Sequence, residues 1–381
     1  MLSRLKPRTA KIGIYAVGYE TYWSQFEGLL DRLMGYHAEV VRIVRKFGVE
    51  IADFGMVDTS MDAYRVNGEI KAAGIDVLFV NMVTYATSAT FAPIIRDVNV
   101  PVVLLALQPL PGLDYSQANT VMQLENDNIC SVPEFTHVAI RMGKRVSDVV
   151  IGTLYNDPAA ERHIAEWCEI AKVLHDVKGA RLGLMGHVME AMYDMHTDPA
   201  AFSAAFGLHV PLLEADDLLR LWRSVTDEEV EDKKRLILET FDTPEPKGDP
   251  VTTKLTNADL EEAAKASVAL DKLVEQFKLT GLAYYYRGEE HSDHARLLSS
   301  LIVGNSLLNA QGIPMCGEYD IKTCLAMLIM DRLDIGGSFA EFHPFDFREN
   351  FILVGHDGPH HIAIADEKPI LRSLLKYHGK Q

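Results

Sequence analysis

The sequence is short of everything from which a disulfide framework, a zinc finger or a membrane anchor is built. It has 4 cysteines in 381 residues. Cys130, Cys168, Cys316 and Cys324 form no CxxC pair and no zinc-finger spacing. Reduced thiols in a cytoplasmic protein are the simplest reading. No run of about 18 apolar residues occurs, so no membrane-spanning helix is expected. The opening stretch MLSRLKPRTAKIGIYAVG passes directly into a strand-like pattern without the apolar core of a signal peptide, and none is expected. Positive charge is also scarce. Lys and Arg number 37 against 54 Asp and Glu, a net charge of −17. That balance argues against nucleic acid or an anionic membrane as partner.

Motif absences narrow the chemistry further. No GxGxxG follows the first strand, and there is no Walker A sequence and no GxSxG elbow. The glycines Gly183 and Gly186 are a weak phosphate signal by comparison. A dinucleotide-dependent oxidoreductase, an ATP-binding domain and a nucleophile-elbow hydrolase are all disfavoured. There is no internal repeat and no low-complexity tract.

What is present is an ordinary globular composition, 48% hydrophobic and 24% charged, in a chain long enough for two or three domains. The first half alternates short apolar runs with helical segments. KIGIYAV (Lys11 to Val17), VEIADFGMV, DVLFVNMV (Asp76 to Val83) and PVVLLAL (Pro101 to Leu107) read as strands. FEGLLDRLMGYHAEVVRIVRKF, NGEIKAAG and FAPIIRDV read as the helices between them. Strands joined by helices predict a parallel, doubly wound sheet with its ligand beyond the carboxyl ends of the strands. Those ends carry Gly18-Tyr19, Val83-Thr84-Tyr85 and Leu107-Gln108-Pro109.

A second α/β unit opens near Ala180 with ARLGLMGHV. It has strand-like runs LHVPLLEA and LTGLAYYYRG and a long helix with Asn257 as its expected N-cap. DTPEPKGDP (Asp242 to Pro250) reads as a surface loop. From about Gly336 the texture turns to alternating, Gly- and Pro-broken sequence. The expected organisation is α/β: two doubly wound parallel-sheet domains, 1–178 and 179–334, followed by the start of a β-rich domain over 335–381.

The informative region is PMCGEYDIKTCLAMLIMDRL, then GGSFAEFHPFDF, then ENFILVGHDGPHH. Glu318 follows a glycine at the mouth of a helix whose expected apolar face is Leu325, Ile329 and Leu333. A helix cap is the bland reading. Glu341, between Phe339 and Phe342, is expected to be a buried acid in need of a partner. His356 ends the run FILVG, where a structural histidine is the bland reading. Cys316 reads as a core filler before a nucleophile. Two carboxylates and an imidazole at the ends of regular elements suit an oxygen-preferring cation, Mn2+ or Mg2+, better than zinc.

These stretches resemble the L-arabinose isomerase / L-fucose isomerase family. Its GEGDWKT-like motif supplies a first glutamate, matched here by GEYDIKT and Glu318. Its SFMEDYTYHF-like motif supplies a second, matched by SFAEFHPFDF and Glu341. Its VLG-H segment supplies a histidine, matched by ILVGH and His356. More weakly, Tyr64 to Ile94 parallels the family's second strand and loop, and Leu182 to Met195 parallels the start of its central domain. The resemblance implies aldose–ketose interconversion through an ene-diol. A divalent cation would hold adjacent sugar oxygens, and Glu318 and Glu341 would serve as the acid/base pair. It implies a homo-oligomer, hexameric in the family, in which a neighbouring subunit's N-terminal domain completes each active site. Asp320, His343, His360 and His361 are supporting candidates with a structural reading beside each, and His187 and Asp194 are candidates to line the same cleft.

Three departures follow from the same comparison. The family's chains run on through a β-barrel-like domain with another histidine ligand, so a shortened form is expected. VGYETYWSQF replaces a GSQHLYG-type loop, and Ala106-Leu107-Gln108 replaces His-Thr-Gln. The last two touch the substrate pocket and point away from L-arabinose itself. Tyr19, Tyr22 and Trp23 offer stacking faces to a sugar, with a core role as the alternative. A non-catalytic sugar-binding or regulatory relative is the second reading.

Overall fold

The computed structural model describes residues 2–189, 192–248 and 252–374. The chain divides into two compact units. One is Arg8–Asp176, and the other joins Met1–Pro7 to Val177–Gln381.

The Arg8–Asp176 unit is built on β1 (Lys11–Val17), β2 (Glu50–Val57), β3 (Val77–Met82), β4 (Val102–Gln108) and β5 (Asp148–Thr153). All pairings are parallel, in the order β2-β1-β3-β4-β5. The largely apolar character of β3 and β4, interrupted by the buried Asn81 and by Gln108 at the end of β4, reflects burial of both sheet faces under helices. One face packs around Phe79, Leu105 and Ile164, the other around Tyr15, Phe91 and Phe135. The edge strand β2 is only half buried, which explains the polar residues in EIADFGMV. Strand order reverses between β1 and β3, where a crevice opens. There Tyr19 meets Tyr22 and Tyr85 edge to face, at centroid distances of 5.2 and 6.1 Å. Trp23 is tied down nearby, its Nε1 donating to Asp58 Oδ2 at 2.6 Å.

In the second unit, β6 (Leu182–Met185) and β7 (Leu212–Leu213) come first. β8 (Thr252–Thr253), β9 (Gly281–Tyr284) and β10 (Met315–Cys316) follow, then β11 (Glu341–Asp346), β12 (Phe351–Gly355) and β13 (Ser373–Leu374). Four strands make a second parallel sheet, ordered β10-β9-β6-β7. The order reverses between β6 and β9. The pairs β11-β12 and β8-β13 are small antiparallel ribbons. The molecule is thus α/β, with two parallel sheets flanked by helices and a small antiparallel piece toward the C-terminus. Among the described residues no helix is long and apolar enough to cross a membrane.

Several expectations need local correction. LHVPLLEA keeps only Leu212–Leu213 as strand, with one bridge from His209 to Arg181. After Gly355 the chain runs through a loop and a single 3-10 turn at Ile362–Ile364 before β structure returns only at the Ile370 bridge and the two residues of β13. Asp242 makes a bridge to Ile370 and residues 243–248 run as irregular chain, while Asp249 and Pro250 lie outside the described residues. The long helix Asn257–Phe277 is capped by Thr256, not Asn257. Thr256 Oγ1 accepts from the Asp259 N–H at 3.2 Å, and Asp259 Oδ2 accepts from the Thr256 N–H at 2.8 Å. This reciprocal box satisfies two otherwise orphaned donors. Its energetics give a direct comparison. Thr256→Ala is expected to cost about 1 kcal/mol of unfolding free energy in urea denaturation, and Asn257→Ala less than about 0.5 kcal/mol.

Candidate metal centre

Three strands of the second sheet end together and release the chain into loops. β6 opens into Gly186-His187, β9 into Tyr285-Tyr286 and β10 into Gly317-Glu318-Tyr319. Carboxyl ends of parallel strands are where such folds hold ligands. Glu318 and Tyr319 are both left-handed, with φ of 59° and 66°. A side chain in that region costs of order 1 kcal/mol or more, so neighbouring bonds must impose it. They do: Tyr319 N–H donates to the Tyr284 carbonyl at 3.0 Å, and Asp320 N–H to the Gly317 carbonyl at 3.1 Å. Glu318 is left 8% exposed.

The cap of the following helix, Ile321–Arg332, is Asp320. Its carboxylate accepts from the N–H groups of Lys322 and Thr323 at 3.0 and 3.1 Å and from Thr323 Oγ1 at 2.6 Å. The bland reading of Glu318 as the cap is therefore replaced, and its carboxylate is left available. The helix turns Cys324, Leu325, Met327 and Leu328 inward, while Leu333 is exposed and Ile329 half buried, a rotation from the expected face.

Glu341 and His356 arrive on the β11-β12 ribbon. Its register places Glu341 opposite Gly355, so His356 is delivered beside Glu341 at the same end. Phe339, itself buried, packs its ring 4.6 Å from that of His356. Contrary to expectation Glu341 is exposed, as are Phe342, Phe345 and Phe347. The ribbon is two-stranded, and among the described residues its phenylalanines Phe342, Phe345 and Phe347 stay exposed.

Glu318, Glu341 and His356 converge. One donor atom from each lies within 4.8 Å of the other two. Among the described residues neither carboxylate has a hydrogen bond or a cationic partner, and His356 Nδ1 is buried without one. Burial holds the His356 imidazole below its usual range, which keeps it neutral and able to ligate. Glu318 is pushed above the usual carboxylate range, first by burial and then by the charges of Glu341, Asp320 and Asp194. Two acids and a neutral imidazole with unsatisfied lone pairs fit a hard divalent cation, which would remove their mutual repulsion.

The remaining sequence candidates separate by role. His360 Nε2–H donates to the His356 carbonyl at 2.9 Å and so braces the ligand's backbone. His343 is exposed on β11. His361 is buried 3.9 Å from Asp331, away from the cluster's donors. Asp194 is an electrostatic neighbour of Glu318, and its carbonyl accepts from Lys322 Nζ. Cys316 is fully buried with its thiol pushed well up, a core residue. Tyr19, Tyr22 and Trp23 belong to the other compact unit. Sequence reading missed Tyr285 and Tyr319, although LTGLAYYYRG carried a signal for Tyr285, an aromatic run at a strand's carboxyl end. An open hollow of about 490 Å³ lies beside Tyr319, lined in part by Gly186, His187, Met189 and His196. A comparable hollow of about 510 Å³ over Ala215–Arg223 is lined by paired surface charges and gathers no free donor set.

The raised Glu318 value has a definite sign. The native chain holds this proton more tightly than the unfolded chain, so stability falls as pH rises from the ordinary carboxylate range through the raised value. Without metal, Glu318→Gln is expected to raise stability at pH 7, with the gain vanishing near pH 4. With saturating Mn2+ the order should reverse, because the wild type gains binding energy that the variant lacks. Thermal unfolding with and without Mn2+ at both pH values checks this.

No family model and no curated protein matches the sequence. Among solved structures, a conserved domain protein from Vibrio cholerae O1 biovar El Tor str. N16961 is similar over 89% of this chain and 80% of its own. The identity is 12% and the TM-score 0.22, too loose a likeness to bear on function.

Proposed function

We propose that the protein is a divalent-metal-dependent aldose–ketose isomerase working through an ene-diol. The observation that carries this reading is the convergence of Glu318, Glu341 and His356 at the carboxyl edge of a parallel sheet. Glu318, Glu341 and His356 would hold Mn2+ or Mg2+, which supplies Lewis acidity toward the sugar carbonyl when bound.

The work of this chain is proton management. Glu318, the more enclosed acid, removes the proton from the carbon beside the carbonyl and returns it to the former carbonyl carbon. Its enclosure, at 8% exposure, shields that proton from exchange with water in between. Glu341, open to solvent, passes the hydroxyl proton between the two oxygens. His356 stays neutral and orients the site, braced through its backbone by His360. No oxidant is required, since one carbon is reduced as its neighbour is oxidised.

The exposed phenylalanines of the β11-β12 ribbon favour assembly into a homo-oligomer, because an isolated ribbon with such a face is costly in water. All four cysteines are free, which favours a cytoplasmic setting. The resemblance to the L-arabinose / L-fucose isomerases agrees with each of these points. A sugar-binding relative without catalysis is the competing reading, and it has no use for two unpaired acids on one imidazole.

Assays over pentoses, hexoses and deoxysugars, with and without Mn2+, test the proposal. Turnover of at least one sugar is expected. It should be abolished by chelator and reduced by about 10²–10⁴-fold in Glu318→Gln and in Glu341→Gln. Metal-independent sugar binding without turnover would favour the competing reading.

A further inference from the structure

The loop after β6 sets out a histidine that the acid–imidazole cluster does not use. Strand order in the second sheet reverses between β6 and β9, and a crevice opens at such a switch point. His187 sits there. Its Nδ1 lies 2.9 Å from the carbonyl oxygen of Val188. A carbonyl only accepts, so Nδ1 carries a proton, and in the neutral ring Nε2 presents a lone pair. The ring rests on Tyr285, with centroids 4.1 Å apart and planes at 36°. That contact requires the loop to lie flat on β9. Gly186 permits it, because its φ is +90° and an added Cβ would come within 3.0 Å of the Tyr285 Cβ.

The histidine is exposed, so packing does not account for its placement, and Nε2 has no partner among the described residues. It lines a hollow that is also lined by Tyr319, the residue after Glu318. An oriented imidazole on an aromatic backing is an arrangement that can take a hydroxyl hydrogen bond from a sugar. The acidic neighbours Glu318 and Asp194 can themselves only accept when ionised.

We propose that His187 is a substrate-positioning residue whose Nε2 accepts a hydrogen bond from a sugar hydroxyl remote from the reacting carbons. This rests on the sugar-isomerase reading of the neighbouring acids. Its role is to hold the open-chain sugar in register with Glu318 and Glu341, not to exchange protons with it.

Calorimetric titration of the full chain with ribitol, an open-chain polyol probe, tests the assignment. Separate Mn2+ titrations are made of wild type, His187→Ala and His187→Gln. Ribitol affinity is expected to fall about tenfold in His187→Ala. It should recover to within about threefold in His187→Gln, whose amide oxygen can stand where Nε2 stood, while Mn2+ affinity stays the same in all three. For a sugar that turns over, KM should rise by a similar factor in His187→Ala and kcat should change less. Equal ribitol affinity in wild type and His187→Ala overturns the proposal. So does a wild type that takes up Mn2+ and binds no ribitol, which leaves the metal centre standing. If ribitol binding depends on His187 but no Mn2+ is taken up, the hydroxyl contact stands, while the isomerase reading and the register role that rests on it fall.

Discussion

The site depends on a four-residue turn, Gly317 to Asp320, that two consecutive left-handed residues force on the end of β10. Neither Glu318 nor Tyr319 would adopt that backbone unassisted, since each costs of order 1 kcal/mol or more. The turn is held by Tyr319 bonding to the last residue of β9 and by Asp320 fixing both the turn and the next helix. The consequence is a division of labour between adjacent acids. Asp320 satisfies the helix terminus, and Glu318 is left enclosed with no hydrogen-bond partner among the described residues. An unpaired, half-desolvated carboxylate is an expense that a fold does not retain for stability.

The second half of the cluster relies on register. A two-stranded ribbon fixes which residues share an end, and a slip of one residue would send every side chain to the opposite face. With Glu341 opposite Gly355, the following His356 reaches the same place. Phe339 supports that arrangement by packing on the imidazole. Among the described residues the ribbon's outer phenylalanines lie uncovered, so the element that delivers two of the three donors is also one with apolar surface exposed.

Much of this was legible in the residues. Both parallel sheets followed from short apolar runs alternating with helical stretches. Glu318, Glu341 and His356 could be selected because each ends a regular element. Errors came where a single residue's identity is decided by three-dimensional competition. Asn257 is a good cap by type, yet Thr256 holds the position because Asp259 completes its box. Glu341 looked buried between two phenylalanines, but on a ribbon with an uncovered face its neighbours are exposed as well. The helix after Asp320 starts later than Glu318, which rotates its buried face away from Ile329 and Leu333. Periodicity identifies an element; its phase is set by caps and turns that a pattern does not contain.

The central claim is that Glu318, Glu341 and His356 jointly hold one hard cation. Anomalous diffraction from crystals soaked in Mn2+ tests it most directly. The account predicts one strong peak within about 2.0–2.3 Å of an oxygen from each glutamate and a nitrogen of His356. No peak there, or manganese bound only at surface acids such as Asp216 and Asp217, would contradict it.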